Sequence, residues 1–210
     1  MNFGQLKMYI DGELVSSVNN EIKEIFSPLN DESIATLSWA SSLDSERALK
    51  SAEQGFHTWS KTTVKKRKEW MLILRDKILE KEEILRKSIS YEMGKPYNAT
   101  AEDVESITNS LKYYSDIIED FQKDKEIIDP DGTHSHHLVS KPIGVVVAYL
   151  AWNFPLLNAG FKLGPALASG CSIILKPSEL SPVSLYIIGE ILNEINFPKG
   201  VVNILCGEPS

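Results

Sequence analysis

An asparagine in Trp152-Asn153-Phe154-Pro155, and a lysine and a glutamate in Lys176-Pro177-Ser178-Glu179, are the residues of this sequence whose types and placement best suit chemistry. Both motifs follow an apolar run, IGVVVAYL in one case and CSIILK in the other, and so stand where a buried strand hands over to a helix. A neutral amide at the mouth of a parallel sheet can donate a hydrogen bond to an oxygen that gains negative charge during carbonyl chemistry. Asn153 equally suits a plain turn before Pro155, because asparagine bonds locally to its own backbone. An acidic residue leaving a second strand is well placed to accept from ribose hydroxyls, and Lys176 can donate to the same sugar. Taken alone, Lys-Pro-Ser-Glu reads more simply as capping and solvation of a helix start. Trp152 and Phe154 read as pocket wall or core. The first turn contains no Gly-x-Gly-x-x-Gly, so a dinucleotide bound there lacks the usual backbone cradle for its pyrophosphate.

The elements that must position these residues follow from periodicity. From Pro142 onward, apolar IGVVVAYL, a helix about Leu156 to Ala168 stopped by Gly170, apolar CSIILK, a helix opened by Ser181 and Pro182, and apolar VVNIL spell β-α-β-α-β. Uninterrupted apolar strands alternating with amphipathic helices imply a parallel sheet covered on both faces, half of a doubly wound fold. Upstream, Ala48, Ala52, Phe56 and Trp59 recur at helical spacing, with Asp44 and Ser45 as caps. One long helix is expected over Val64 to Tyr91 with Trp70, Ile73, Leu74, Ile78, Leu85 and Ile89 as its stripe, and another over Tyr97 to Phe121. Residues 5 to 38 read as a small edge sheet whose hairpin turns at Asp11-Gly12.

Composition narrows the partners. The formal charge of −7 argues against nucleic acid or anionic lipid. No stretch approaches the roughly 18 apolar residues of a membrane span, and the opening MNFGQLKMYIDGELV shows no signal-peptide pattern. The expected compartment is the cytoplasm and the default partner a small molecule. Cys171 and Cys206 lie in apolar strands, where reduced, buried thiols are the rule. His134, His136 and His137 lack a partner at metal-ligand spacing, so no metal site is expected, and Asp129 and Asp131 read as turn formers.

Together the stretches KPIGVVVAYLAWNFPLLNAGFKLGPALASGCSIILKPSELSPVSLYIIGEIL, FPKGVVNILCG and AEQGFHTWSKTTVKKRKEWMLILRDKILEKEEILRKSISYEMGKP resemble the aldehyde dehydrogenase superfamily across essentially the whole chain. The resemblance implies oxidation of an aldehyde to a carboxylic acid with NAD, or alternatively NADP, through a cysteine thioester. It implies that Asn153 is the oxyanion donor, that Tyr149, Leu150, Ala151 and Trp152 run along the cofactor, and that Lys176 and Glu179 meet the adenosine ribose. A glutamate at 179 leans toward NAD, because a 2′-phosphate beside it meets like charge. Many members carry proline where Ala151 stands. The family's nucleophile, its glutamate base and a further cofactor turn lie downstream of the matched stretches, and neither cysteine matches the nucleophile.

The expected fold is therefore α/β: a helical amino-terminal region (1–123), an extended hairpin-like segment (124–141) that serves homo-oligomerisation by resemblance, and the first β-α-β-α-β half of a doubly wound, Rossmann-like parallel sheet (142–210). On this reading the third strand is left exposed, which favours a piece of a longer design, inactive by itself, over a self-sufficient domain. The competing reading is a non-catalytic remnant that binds nucleotide weakly or acts as an interaction module.

Overall fold

The computed structural model describes residues 1–208, so the last two positions of the expected 142–210 segment, including Ser210, lie outside the described residues. The elements are β1 (Gln5–Leu6), β2 (Met8–Ile10), β3 (Glu13–Val15), β4 (Ile22–Phe26), β5 (Ser33–Ser38), α1 (Ser42–Trp59), α2 (Val64–Glu80), α3 (Glu82–Met93), a 3-10 turn (Tyr97–Thr100), α4 (Ala101–Phe121), β6 (Lys125–Ile128), β7 (Ser135–Leu138), β8 (Val145–Tyr149), α5 (Pro155–Ser169), β9 (Ser172–Lys176), α6 (Val183–Glu194) and β10 (Val202–Ile204).

The β-α-β-α-β pattern forms as its apolar runs require. β8, β9 and β10 are parallel neighbours in a five-stranded sheet of order β3-β2-β10-β9-β8. The register places Tyr149 opposite Lys176 at the carboxyl ends. Side chains alternate across the sheet. Ser172 thus faces α1, where its hydroxyl donates to the Ala52 carbonyl at 2.6 Å, while α6 packs against β10 and β2.

Two expectations are corrected here. The Asp11-Gly12 hairpin does form, with both residues at positive φ, 57° and 78°, as a tight two-residue turn of the left-handed kind demands. However, its strands do not belong to a separate small sheet. β2 pairs antiparallel with β10 through Ile204 and Tyr9, so the third parallel strand is not an exposed edge. The physical reason is visible in β2 itself: Met8, Tyr9 and Ile10 are all buried, the pattern of an interior strand. Asn203, the one polar residue within β10, is satisfied at this junction. Its Oδ1 accepts from the Asp11 N–H at 3.0 Å and the Ser51 hydroxyl at 3.1 Å, and its Nδ2 donates to Gly200 O at 3.0 Å. β1, β5 and β4 form the smaller sheet.

The expected helix over Val64 to Tyr91 is two helices that break at Lys81, whose φ of −100° and ψ of 13° leave the helical region. Leu74 and Ile78 on one side and Leu85 and Ile89 on the other are all buried, so the apolar stripe stays in phase and periodicity is blind to the break. Glu82 and Glu83 then sit in the first turn of α3, where carboxylates favour a helix start. Ile73, counted in the stripe, is exposed. α1 is capped by Ser41, with Asp44 completing a capping box at the third helical position rather than acting as the cap.

Close approach of α4 to α5 depends on two glycines. A Cβ at Gly160 would stand 2.8 Å from Ile107 Cα, and one at Gly164 would stand 2.5 Å from Ser110 Oγ. The Ser110 hydroxyl uses this proximity to donate to Gly160 O at 2.6 Å. Gly160→Ala should therefore destabilise the fold by about 1–3 kcal/mol through overpacking against backbone, measured as a lowered urea midpoint. An unchanged midpoint would mean that α4 and α5 separate at little cost.

Candidate active site

The turn after β8 carries four of the expected site residues on the surface and one inside. Tyr149 is 75% exposed, and Ala151, Trp152 and Asn153 are also exposed. Leu150 is buried, and its N–H donates to the Lys176 carbonyl at 3.0 Å, the last rung between β8 and β9. Pro155 opens α5 at its first position, where its missing N–H and fixed φ suit a helix start. Asn158 and Ser181 supply the side-chain bonds of the turn, to Ala151 O at 3.5 Å and to Trp152 O at 3.1 Å. Asn153 takes no part in them among the described residues, which leaves its amide presented to solvent.

The turn after β9 gathers the second group. Lys176 Nζ lies 3.7 Å from Glu179 Oε2 and donates to Pro177 O at 3.4 Å. Tyr149 and Lys176 line one cleft of about 340 Å³, floored by Val147, Ile174 and Leu205 and bounded by the start of α1. Leu150, Ala151, Trp152, Asn153 and Glu179 do not line that cleft. Asn153 is joined to the second turn through its neighbour, by the Ser181 to Trp152 bond.

Ser181 was expected to open the following helix, and that expectation is corrected. The first N–H groups of α6 are taken by a side chain from far upstream. Glu92, at the end of α3, accepts from Val183 N at 2.6 Å and from Ser184 N at 3.2 Å. Such groups are orphaned at every helix start, and here a buried carboxylate satisfies two of them. Ser181 is thereby free to hold Trp152. Burial pushes the Glu92 carboxyl up to about 7, and the nearby Asp103 adds to the rise while the N–H donors oppose it. Asp103, fully buried in α4, is likewise pushed upward by burial and drawn back by Lys95, whose Nζ lies 2.6 Å from its Oδ2. The N–H of Leu157 in the first turn of α5 also favours the charged form of Asp103. Lys95 then stands over the Phe154 ring at 4.0 Å from its centroid.

Sequence reasoning missed Glu92, Lys95 and Asp103. The available signal was an acidic residue in the apolar stripe: Glu92 continues the spacing of Leu85 and Ile89, and Asp103 precedes Ile107 by four. A charge in that position is rare without a partner.

The two thiols are inert by placement. Cys171 and Cys206 are free and buried. Burial pushes the Cys206 thiol up to about 12, with only partial relief from Lys176, and its Sγ donates to Pro177 O at 3.4 Å. The three histidines stand on the exposed β6–β7 hairpin, with His134 and His136 beside Asp129 and His137 beside Glu126. No group of three His, Cys, Asp or Glu suited to a metal ion occurs among the described residues. No helix there is long and apolar enough to cross a membrane.

Two outcomes follow from these burials. Both thiols should resist a water-soluble disulfide reagent in the native chain and react at once in denaturant, because the thiolate is the reacting form; rapid labelling of either under native conditions would contradict the burial. For Glu92, the folded pKa of about 7 exceeds the ordinary 4.5, so the stability it contributes is fully present below about pH 4.5 and lost as pH rises through about 7. The urea midpoint of the wild type relative to Glu92→Gln should accordingly fall across that window, and a difference that stays constant with pH would refute the assignment.

With this geometry in hand, the comparisons with known proteins converge. An aminoaldehyde dehydrogenase of Solanum lycopersicum is 33% identical over 205 residues, covering 96% of this chain and 41% of its own length. A chloroplastic betaine aldehyde dehydrogenase of Amaranthus hypochondriacus is 33% identical over 208 residues, with 96% and 42% covered. The solved betaine aldehyde dehydrogenase of Staphylococcus aureus, in complex with NAD+, superposes with a TM-score of 0.90 at 35% identity, covering 97% of this chain and 41% of that one. The chain thus spans about two fifths of the length of the relatives it matches. The profile of the aldehyde dehydrogenase family matches residues 14–210, and the chain belongs to that family.

Proposed function

We propose that this chain supplies the oxyanion donor and part of the NAD site of an enzyme that oxidises an aldehyde to a carboxylic acid. The observation that carries the reading is the Asn153 amide, presented to solvent at the carboxyl end of a parallel sheet and one turn away from the Lys176–Glu179 pair. Ligands of such sheets bind outside the carboxyl ends of the strands. A free amide donor there suits the oxygen that turns anionic when a thiolate adds to a carbonyl carbon.

The residues fit a nicotinamide dinucleotide in part. Lys176 lines the cleft and Glu179 pairs with it from the adjoining turn, a donor and an acceptor of the polarity that a ribose on an adenosine requires. Tyr149 lies in the same cleft, and Leu150, Ala151 and Trp152 continue along the adjoining turn. The turn has no glycine cradle, so these residues would line the cofactor without the usual backbone grip on a pyrophosphate. Once bound, NAD supplies the hydride acceptor. The Glu179 carboxylate disfavours a 2′-phosphate and so selects NAD over NADP.

Asn153 acts on the other reactant. Its amide N–H donates to the aldehyde oxygen as that oxygen becomes negative, and it needs no proton transfer to do so. Neither Cys171 nor Cys206 is the nucleophile, since both are buried and Cys206 is held well above the reactive thiol range. On this reading the present chain forms no NADH from an aldehyde by itself. The β6–β7 hairpin, exposed at every strand residue, supports homo-oligomerisation through sheet extension in the complete enzyme, and the two reduced thiols fit the cytoplasm.

The test is kinetic. In an intact enzyme containing this segment, Asn153→Ala should lower kcat by about 10²- to 10³-fold, or about 2.7–4 kcal/mol, with the KM for NAD little changed. Glu179→Ala should instead raise the KM for NAD. An unchanged rate in the first variant would return Asn153 to a turn-forming role.

A further inference from the structure

We infer that Glu92, Lys95 and Asp103 form a positioning unit that aims the Asn153 amide, acting from α3 and α4 on the turns at the carboxyl end of the sheet. The inference rests on the reading of Asn153 as the oxyanion donor and names what holds it in place. Both chain neighbours of Asn153 are gripped. On one side, the Trp152 carbonyl accepts from Ser181 at 3.1 Å, and Ser181 directly precedes the helix start that Glu92 secures through Val183 and Ser184. On the other, the Phe154 ring lies under Lys95, which Asp103 anchors at 2.6 Å. Asn153 stands exposed between the two grips.

Energetics favour positioning over simple stabilisation. Glu92 is 3% exposed and Asp103 is fully buried, and removing such carboxylates from water costs nearly as much as their partners return. An apolar side chain in either place would serve the core as well or better. Neither would give a directional hold on a helix start or keep a cation over an aromatic ring.

The charges facing Glu92 are few. Asp103 from α4 is the like charge that raises it, and Lys95 pairs with Asp103. Cys206, following β10, feels Glu92 as well as Lys176, Glu179 and Glu208, but its thiol is held up to about 12 and stays silent near neutral pH. α6 presents the two backbone N–H donors. Asp103 is a second buried carboxyl pushed upward, so the Glu92 carboxyl carbon is followed directly to separate the two titrations.

The experiment follows the isotopically labelled 210-residue chain by NMR from pH 5 to 8, with neither aldehyde nor NAD present. The Glu92 side-chain carboxyl carbon, the Val183 and Ser184 amides, the Trp152 indole N–H and the Asn153 side-chain NH₂ should share one transition with a midpoint near 7. Glu92→Gln should abolish it at all of them. Ser181→Ala leaves the helix cap intact and should uncouple Trp152 and Asn153 while Val183 and Ser184 still titrate, which keeps the test decisive if Glu92→Gln does not fold. Lys95→Met should displace the Phe154 and Asn153 signals, together with the Leu157 amide that Asp103 holds, while Val183 and Ser184 stay bonded to Glu92. Trp152 and Asn153 signals that ignore the Glu92 titration would overturn the inference. That failure is distinct from failure of the oxyanion reading, which the rate of Asn153→Ala decides.

Discussion

Two N–H groups at the start of α6 must find acceptors inside the protein, and the whole carboxyl end of the sheet is arranged around the way they do. The acceptor is Glu92, 91 residues upstream of Val183, so a helix of the second βα unit is pinned to a helix of the amino-terminal region. Because Glu92 takes the capping role, Ser181 is released to hold the preceding turn. Because α3 must deliver Glu92 there, the chain that leaves α3 at Gly94, with a left-handed φ of 73°, brings Lys95 over Phe154 and into contact with Asp103. The end of α3 thus carries one residue to the start of α6 and, through Lys95 and Asp103, a second contact to the turn before α5.

The sheet shows the same economy of partners. An apolar parallel strand needs backbone neighbours as well as covered faces, and β10 obtains one of them from the hairpin at the opposite end of the sequence. Asn203 marks the join, a buried amide whose three bonds run to β2's turn, to α1 and to its own loop. α1 therefore touches the hairpin, the sheet and the cleft at once, with Ser51 and Ala52 on the sheet side and Ser41 and Ser45 beside the cleft.

Much of this was legible before any coordinates. The three parallel strands, the helices between them and the Asp11-Gly12 turn follow from apolar runs, caps and turn chemistry, all of which act within about ten residues. The Asn153, Lys176 and Glu179 motifs were legible as candidates because they sit where strands end, and the family likeness is carried by residues that surround them. What escaped was non-local. Nothing near Met8 announces a partner at Ile204, and nothing near Val183 announces Glu92. The break at Lys81 escaped for a different reason, since a change of direction that keeps the apolar stripe in phase leaves no mark in the pattern. Acidic residues in apolar stripes were the one trace of the hidden contacts, and they are read correctly only when a buried charge is taken as a demand for a partner.

The pairing of β2 with β10 also sets a schedule. Asp11 and Asn203 bond across 192 residues, so the first hairpin leaves the ribosome long before the strand that completes it. Until then its inner edge is an open row of backbone donors and acceptors, the feature that invites pairing with other chains. Long-range closure of this kind is slow, because the loop entropy must be overcome before any contact rewards it. The interval in which that edge stands open is therefore the polypeptide's own synthesis, up to the emergence of β10.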